Sequence, residues 1–549
     1  PHVSPRYILL ERDTPYGTVE ALRSLKLKGV ILEESYRRAY HYGSLASHVL
    51  GYLNHEQTGM TGLEAQYQHV LEGRDGVRQV RFDKHGNIAN YVGAPVREPV
   101  HGMDIRTTLD ATIQAIVEEE IDIAIKRHKA RRGTAIVMNP ETGEVLAMSS
   151  IPQFDPKLGL AADGGSGSEA QRNLAVSDMI EPGSTFKLVT AIAAIEENVA
   201  HMGEVFKTPA DGTMLIHGQV MRDHRAFGSL SFSEAFSRSS NIAVSEIAMR
   251  LEPEVFYQYA RRLGFGNPTN IDLPSEAPGQ LRRPYEWRRV TLPWMSIGYE
   301  VLSTPIQILQ AYAAFANRGD MMRPYMLKEV IDEHGRVREK MVPVRVRSIG
   351  SRETIETLRP VFRKVLSDSG TASLAVVQGI IAAGKTGTAQ KFVDGAYRDA
   401  YYSSFVGFFP EKAPQYAVLV MLDEPSIGVA GGWTAGRTFA EITRRIAGYD
   451  GTIATDTYSD MLDQAGGDVM PPGSIRTPDM TGWAMEDAVR LLRALDIRHS
   501  VQPAEAGVAA KVRRQSPAPG EWLVRGETLM LYYTSSTLDQ PIASAGGAP

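Results

Sequence analysis

Three short polar motifs stand in a fixed order along this chain, and they constrain its fold more than any other feature. They are Ser184-Thr185-Phe186-Lys187, Ser239-Ser240-Asn241 and Lys385-Thr386-Gly387-Thr388. The first offers a nucleophile and a base, the second a hydroxyl and an amide, and the third a cation beside a backbone donor. Together they can build a serine acyl-transfer site. A fold that does so must bring together segments that lie 55 and 146 positions apart.

Length and composition narrow the class of protein. A chain of 549 residues is too long for one ordinary core, and we expect roughly three or four folding units. A hydrophobic share of 43% with 22% charged residues is typical of a soluble globular protein, and a net charge of -5 argues against a nucleic-acid partner. The absence of cysteine excludes disulfides, thiolate metal sites and a cysteine nucleophile, but it does not fix the compartment.

Membrane and metal signals are weak in the sequence. No stretch reaches the roughly 18 consecutive apolar residues of a membrane span. The chain begins at Pro1 and shows no signal-peptide pattern, so we expect that a leading segment, with a membrane anchor as one candidate, has been removed. No two histidines lie three or four positions apart and there is no His-Glu-x-x-His motif, so we predict no metal and no other cofactor.

Hydrophobic periodicity predicts the regular elements. In the N-terminal part we expect helices around Thr18–Lys28 and Gly62–Leu71 and short strands at Gly76–Phe82 and Asn87–Val92. In the middle we expect helices at Asp110–Arg127 and Ala440–Ala447 and strands at Gly133–Asn139, Val145–Ser150, Ser404–Phe409 and Tyr416–Leu422. This order fits an antiparallel sheet flanked by helices.

The C-terminal part reads as a separate module. Gly451–Gly473 is polar and lacks a long period, which indicates a linker. A helix at Glu486–Leu495 and strands at Lys511–Gln515 and Thr528–Tyr533 predict a small α+β unit. The final Ala543–Pro549 is expected to be disordered, and Gly164–Ser168 is a flexible loop by composition, either native or an engineered linker.

The first motif has the spacing of an activated serine. Glu181-Pro182-Gly183 precedes it and an apolar run follows it, so Ser184 is expected near a helix N-terminus, with Lys187 on the same face. A lysine that is desolvated beside a second cation, here Lys385, loses affinity for its proton, and the helix N-terminus acts in the same direction, so neutral Lys187 can take the serine proton. Taken alone, the same four residues are also compatible with an ordinary serine and lysine on the protein surface.

The second motif is open to two interpretations. An extended backbone would point the side chains of Ser239 and Asn241 to the same side, toward a common cleft. Ser-Ser-Asn is equally favourable chemistry for a turn or a helix cap, and by itself that interpretation is the more frequent one.

The third motif has a competing interpretation as a phosphate loop. Gly379–Thr386 fits G-x-x-x-x-G-K-T, and Val418–Glu424 has the form of a hydrophobic strand that ends in a magnesium-binding acid. A phosphate loop needs a strand before it and a helix after it, whereas Glu353–Val376 reads as largely helical and Gly387 opens a polar stretch. We therefore disfavour a nucleotidase.

As a strand at a sheet edge, Ile380–Ala389 places Lys385 and Gly387 on one face and Thr386 and Thr388 on the other. A peptide could pair with this edge as an added strand. Its carbonyl oxygen would then lie between the backbone N–H groups of Ser184 and Thr388, which would form an oxyanion hole.

With the three motifs in this order, the chain resembles the class B penicillin-binding proteins, which are D,D-transpeptidases. Further matching text is Arg172-Asn173, Asp178, Asp223-His224-Arg225, Gly298-Tyr299, Thr304-Pro305, Gln307 and Ser404-Phe405-Val406-Gly407. Upstream, Arg37–Tyr40, His48–Gly51 and Gly62–Glu64 resemble the non-catalytic pedestal of that class, and downstream Pro478-Asp479, Gly482, Ala488, Leu492, Gln515–Pro517 and Pro519-Gly520 resemble one PASTA repeat.

The resemblance implies an α+β multidomain chain with the serine penicillin-recognising transpeptidase fold. Its expected parts are a pedestal at 1–105, a transpeptidase domain at 106–448, a linker at 449–475, a PASTA-like α+β module at 476–535 and a disordered tail at 536–549. The implied substrate is a peptidoglycan stem peptide ending in D-Ala-D-Ala, which is cleaved with release of the last D-Ala and joined to a neighbouring stem. β-Lactams would acylate the same serine.

The resemblance also implies a role for each motif residue. Ser184 would attack, Lys187 would act as base, and Ser239 would relay a proton to the leaving amine while Asn241 orients it. Lys385, Thr386, Gly387 and Thr388 would place the substrate carboxylate and carbonyl.

The implied cellular setting is septal wall synthesis at the inner membrane. A single-pass anchor, absent from this chain, would hold the catalytic part on the periplasmic side. Expected partners are lipid-linked glycan strands and, through the pedestal, a membrane glycosyltransferase and other division proteins. Because the PASTA-like unit is single, it fits a structural or docking role at least as well as muropeptide sensing.

Two departures and two alternatives remain open. Leu174 stands where the family often has Arg, and Arg437 stands where Pro is usual, but neither belongs to the catalytic set. A serine β-lactamase uses the same three motifs but is a compact single domain with an extra base for deacylation. A non-catalytic scaffold of the division machinery would keep the modules and leave the site vestigial.

Overall fold

The computed structural model describes most of the chain. The described residues are 8–12, 14–27, 29–33, 37–84, 88–158, 160–161, 169–393, 395–451, 453, 474–477, 480–481, 484–494, 497–502, 510–518, 522–524 and 528–534. The predicted loop at Gly164–Ser168, nearly all of the predicted linker and the predicted tail lie outside them.

The described residues of the N-terminal part form four short helices and one hairpin. They are α1 (Tyr16–Leu25), α2 (Ser47–Leu50), α3 (Gly62–Gln66), α4 (Gln68–Leu71), β1 (Val80–Phe82) and β2 (Ile88–Tyr91). The predicted helices and strands are confirmed, although the hairpin strands are shorter than predicted and a break separates α3 from α4. Ala46, Val49 and Leu63 join the largest hydrophobic core of the chain, so α2 and α3 pack into the central domain.

A five-stranded antiparallel sheet forms the centre of the molecule. Its strands are β4 (Arg132–Met138), β5 (Val145–Ile151), β16 (Ala383–Val393), β17 (Ala396–Phe409) and β18 (Tyr416–Asp423), in the order β16-β17-β18-β4-β5. The four strands predicted from sequence and the predicted edge strand of the third motif are confirmed.

Both faces of this sheet are covered, because successive residues of a strand point to opposite sides. On one face Ala135 and Val137 pack with α5 (Ala111–His128) and α14 (Ala435–Asp450). On the other, Ile136 and Met138 pack with the helices that carry the first two motifs. The predicted helices beside the sheet are therefore confirmed, and β16 is left as an open edge.

The remaining elements of the central domain surround this frame. They are β3 (Asp104–Thr107), β6 (Phe154–Asp155), β7 (Leu160–Ala161), α6 (Leu174–Ser177), α7 (Lys187–Glu196), β8 (Val205–Lys207), β9 (Thr213–Ile216), β10 (Gln219–Arg222), β11 (Ser229–Ser231), α8 (Phe232–Ser237), α9 (Asn241–Ala248), α10 (Pro253–Arg262), α11 (Thr291–Met295), α12 (Pro305–Ala316), β12 (Asp320–Met322), β13 (Leu327–Ile331), β14 (Val337–Lys340), β15 (Arg345–Ser348) and α13 (Arg352–Arg363). Short 3-10 turns occur at Gly183–Phe186, Pro284–Glu286, Lys364–Leu366 and Ser373–Ala375.

The C-terminal module is an α+β unit, as predicted. Its elements are β19 (Ser474–Arg476), α15 (Met485–Ala494), β20 (His499–Gln502), β21 (Lys511–Ser516), β22 (Trp522–Val524) and β23 (Leu529–Thr534). Strand β23 lies between β20 and β21, and the module has its own small core, which includes Ala488, Leu492, Val512 and Leu531.

The described ranges contain neither a membrane-spanning helix nor a metal-binding cluster of side chains. No helix there combines the length and the apolar character needed to cross a membrane. Within the same ranges, no group of three or more histidine, aspartate or glutamate side chains is arranged to hold a metal ion.

Candidate active site

The first motif begins in a tight turn. Gly183–Phe186 forms a single 3-10 turn that runs directly into α7 at Lys187, so the predicted position of Ser184 near a helix N-terminus is confirmed. Gly183 has a φ of 55°, and a Cβ there would lie 3.2 Å from the carbonyl oxygen of Thr388. The glycine thus lets the nucleophile turn pass close to the edge strand β16.

The second motif is a helix cap rather than an extended segment. Ser240 is the N-cap of α9, its hydroxyl accepts a hydrogen bond from Ala243 N, and Asn241 is the first helical residue. Ser239 has a φ of 60°, in the left-handed region. Of the two interpretations that the sequence left open, the helix cap is confirmed and the extended backbone is wrong, because capping chemistry decides the local structure. The side chains of Ser239 and Asn241 nevertheless converge, since both contact the Nζ atom of Lys187.

Lys187 lies at the centre of these contacts and is fully buried. Its Nζ donates to Asn241 Oδ1 at 2.8 Å and to Ser239 Oγ at 3.1 Å. The carbonyl oxygens of Ser239, at 2.8 Å, and Ser240, at 3.3 Å, also lie within hydrogen-bond distance of Nζ, so four acceptors share the three protons at most that the amine can donate. Every one of these partners is an oxygen that accepts, so the pocket is built around an amine.

The hydroxyl of Ser239 joins the three motifs. It donates to Ser184 Oγ at 3.1 Å and accepts from Lys385 Nζ at 2.9 Å, in addition to its contact with Lys187. Among the residues that the structure describes, Ser184 has no hydrogen bond to Lys187. The expected direct contact within the first motif is thus replaced by a path through Ser239.

The third motif lies on the open edge strand. Lys385 is fully buried, and its Nζ also donates to the carbonyl oxygen and to Oγ1 of Thr386, both at 3.3 Å. A Cβ at Gly387 would lie 2.3 Å from Ser404 Oγ and 3.0 Å from Thr185 Cγ2, so only glycine fits there. Thr388 Oγ1 accepts a hydrogen bond from Gly431 N at 3.0 Å.

The strand rules out the phosphate-loop interpretation of the same text. Ala383–Val393 is one continuous strand, whereas a phosphate loop would start a helix at Lys385. Asp423, the acid that the phosphate-loop interpretation would assign to magnesium, ends β18 and forms ion pairs with Arg132 at 2.7 Å and Lys391 at 2.8 Å.

Burial sets the electrostatics of the two lysines. Burial lowers the pKa of Lys187 to about 7, although the charge of Asp223 acts in the opposite direction. Burial, followed by the charge of Lys187, lowers the pKa of Lys385 well below its ordinary value. Desolvation, which we expected to act together with the second cation, is the largest cause for both lysines; the charge of Lys187 adds to it at Lys385. Near neutral pH the pair can therefore give up a proton.

Two carboxylates that sequence reasoning did not place in the site support it. Asp223 Oδ2 accepts from Ser240 Oγ at 2.7 Å, and its Oδ1 accepts from the backbone N–H groups of Asn241 and Ile242. Glu181 Oε1 accepts from Glu300 N at 2.8 Å and from the Tyr397 hydroxyl at 3.1 Å, beside the nucleophile turn. In the sequence, Asp223 stands out only through the family resemblance. An acid that precedes a Ser-Ser-Asn helix cap could have indicated that its carboxylate supports the cap.

Comparisons with known proteins agree with this geometry. Residues 133–444, more than half of the chain, match the family described as the penicillin-binding protein transpeptidase domain. Residues 3–107 match the penicillin-binding protein dimerisation domain, and residues 475–535 match the PASTA domain. The chain therefore belongs to the penicillin-binding proteins, as a class B member with one C-terminal PASTA domain.

Relatives of known name cover most of the chain. It is 32% identical over 439 residues to a probable peptidoglycan D,D-transpeptidase, PenA, of Neisseria meningitidis, across 79% of this chain and 72% of the relative. It is 32% identical over 536 residues to stage V sporulation protein D of Bacillus subtilis, across 96% and 81%.

Solved structures share the fold. The apo crystal structure of penicillin-binding protein 3 from Mycobacterium tuberculosis matches with a TM-score of 0.68 and 32% identity, over 76% of this chain and 92% of that one. The same protein complexed with aztreonam matches with a TM-score of 0.68 and 31% identity, over 76% and 91%.

Proposed function

We propose that this chain is a peptidoglycan D,D-transpeptidase that cross-links stem peptides through an acyl-enzyme on Ser184. The observation that carries the proposal is the Ser239 hydroxyl, which contacts Ser184, Lys187 and Lys385 at 3.1, 3.1 and 2.9 Å. One hydroxyl thus links a nucleophile, a base and a second amine. The names of the relatives, with PenA described as a probable D,D-transpeptidase, support the same chemistry.

Acylation starts with the stem peptide lying along the open edge of β16. Ser184 Oγ attacks the carbonyl carbon between the two terminal D-Ala residues, and its proton passes to neutral Lys187 by way of Ser239. For this transfer the Ser239 hydroxyl turns, so that it accepts from Ser184 and donates to Lys187. The oxyanion lies between the backbone N–H groups of Ser184 and Thr388. A pKa of about 7 for Lys187 leaves a substantial neutral fraction at neutral pH.

The leaving group then needs a proton. When the C–N bond breaks, Ser239 gives its proton to the departing D-Ala nitrogen and is reprotonated by Lys187, while Asn241 holds the lysine in place. The amine of a neighbouring stem attacks the resulting ester and loses a proton to the same base, which passes it to Ser184 Oγ as the ester bond breaks. The product is a cross-linked peptide, with Ser184 regenerated.

Lys385 and Thr386–Thr388 place the substrate. The pKa of free Lys385 is lowered by burial, but an arriving carboxylate favours its charged form, so substrate binding and proton uptake by Lys385 are coupled. Gly387 allows the peptide backbone to approach β16 closely. β-Lactams acylate the same serine; the structure of the mycobacterial relative with aztreonam supports this.

The cellular setting that we propose is septal wall synthesis at the inner membrane, with the catalytic part on the periplasmic side. The pedestal would dock a membrane glycosyltransferase and other division proteins. Its exposed apolar side chains support a docking role. They include Ile8, Leu10, Tyr16, Ile31 and Val96.

Turnover of a synthetic peptide tests the activity. The protein is incubated with a peptide that ends in D-Ala-D-Ala and with an amine acceptor, and both D-Ala release and the cross-linked product are measured. We expect Ser184→Ala to lower release by about ten-thousandfold, whereas Ser24→Ala, an exposed serine of α1, has no effect. Equal release from Ser184→Ala, or none from the unchanged protein, as a vestigial scaffold predicts, contradicts the proposal.

A further inference from the structure

We infer that Asp223 is a positioning residue for acylation: its carboxylate holds the Ser239–Asn241 turn in place and adds a negative charge that acts on Lys187. This inference rests on the proposed function, because it concerns the same serine acylation. Asp223 lies outside the three motifs.

The carboxylate of Asp223 caps helix α9, although Asp223 lies well before that helix in the sequence. The first N–H groups of a helix have no partner within it, and Asp223 Oδ1 accepts from two of them, Asn241 N and Ile242 N. Its Oδ2 accepts from Ser240 Oγ at 2.7 Å, and that hydroxyl in turn accepts from Ala243 N. All three partners of Asp223 are donors, as an ionised carboxylate requires.

The same segment holds the motif at a second point. Asn241 Nδ2 donates, at 2.9 Å, to the carbonyl oxygen of Arg222, the last residue of β10. The β9-β10 hairpin therefore fixes the amide whose oxygen accepts from Lys187. These contacts stabilise the turn in which Ser239 has a φ of 60°, a backbone conformation disfavoured for any residue with a Cβ.

Charge is the second effect of Asp223. The charge of Asp223 is one of several near the site, and these charges shift one another's pKa values. The other groups are Lys187 on α7, Lys385 on β16, Glu246 on α9, and His224 and Arg225, which follow Asp223 in the chain. Among them, Asp223 raises the pKa of Lys187, against the lowering by burial. The N-terminus of α9 disfavours a nearby cation, and the carboxylate offsets this as well.

The sign of the pH effect follows from the role of Lys187. The base must be neutral to take the serine proton, so the rate of acylation rises as pH increases through the pKa of Lys187. Removing the charge of Asp223 lowers that pKa further. The rising limb of the pH profile then moves to lower pH, whereas purely structural damage lowers the rate without moving the limb.

The test measures the rate of acylation by a labelled penicillin against pH in three variants. Asp223→Asn keeps the shape and one acceptor oxygen but loses the charge, so we expect a rate about tenfold lower at the plateau and a limb shifted down by about one pH unit. Asp223→Ala loses both and drops about a hundredfold. Asp211→Asn is the control, because that exposed acid bonds only to Thr213, and it keeps the original profile.

A melting curve of each variant separates misfolding from a local effect. A folded Asp223→Asn with an unchanged profile overturns the inference, and so does a lower rate without a shift of the limb. If the unchanged protein takes no label, it is the proposed function that fails, so the two failures are distinguishable.

Discussion

Two halves of one strand give the same residue type opposite environments. Lys385 and Lys391 both lie on β16 and are both buried. Lys391 donates to Asp423 at 2.8 Å and to Glu424 at 2.6 Å, and although burial opposes it, these contacts raise its pKa. Among the residues that the structure describes, Lys385 bonds only to hydroxyl and carbonyl oxygens, and burial lowers its pKa.

The difference shows that burial alone does not decide what a lysine does. A buried ammonium needs a carboxylate to offset its desolvation, and where none is present the amine becomes a base or a proton donor. At its outer end, β16 is linked to β18 by the ion pair between Lys391 and Asp423. Arg132 on β4 also pairs with Asp423, so the network includes three strands. At its inner end the strand presents an uncompensated amine to Ser239.

We expect the largest effect when each of the two lysines is replaced by methionine and the rates of acylation are compared. Lys385→Met keeps the stem of the side chain and removes the amine, so we expect labelling by penicillin to slow about a thousandfold while the free energy of unfolding stays the same or rises. Lys391→Met leaves acylation nearly intact but costs about 2 kcal/mol of stability, because Asp423 keeps only Arg132.

Rates of labelling and urea unfolding curves measure both quantities. If Lys391→Met slows acylation as much as Lys385→Met does, the contrast between the two halves of β16 is wrong.

A second, smaller effect concerns the spacing of β16 from the nucleophile turn. In Gly387→Ala the new methyl group would lie 2.3 Å from Ser404 Oγ and 3.0 Å from Thr185 Cγ2, so the strand or the turn must move. We expect acylation to slow about a hundredfold. The control is Gly448→Ala in α14, where nothing lies within 4 Å and about 1 kcal/mol of stability is gained. An unaffected rate in Gly387→Ala argues against a tightly set strand.

The smallest effect is the pH dependence of the unchanged protein. Because Lys187 must be neutral and burial lowers its pKa to about 7, the rate of acylation should fall about tenfold for each pH unit below 7 and level off above it. Lys391→Met should leave this profile in place. A limb near the ordinary pKa of lysine indicates that Lys187 is not the base.

Sequence predicted the parts of this site that depend on local chemistry. The strands β4, β5 and β18 and the buried second half of β17 follow from apolar runs, whereas the exposed first half of β17 was not predicted. The predicted edge strand Ile380–Ala389 overlaps β16 over its first seven residues, Ala383–Ala389. The left-handed Ser239 escaped prediction, because a helix cap and an extended segment use the same residues. The central position of its hydroxyl, between two lysines, depends on contacts between segments far apart in the chain.

The sequence predicted desolvation of Lys187 but not its extent. Full burial, which lowers the pKa of Lys187 to about 7, depends on how the folded core packs around the amine, and no motif encodes that packing. The support of the second motif by Asp223 depends on where the β9-β10 hairpin packs, and the sequence placed no hairpin there.

One measurement tests the central claim most directly. The protein is incubated with benzylpenicillin, digested, and its peptides are analysed by mass spectrometry, with Ser184→Ala and Ser24→Ala alongside. The account predicts one covalent adduct, on Ser184, in the unchanged protein and in Ser24→Ala, and none in Ser184→Ala. An adduct on another residue, or a labelled Ser184→Ala, contradicts it.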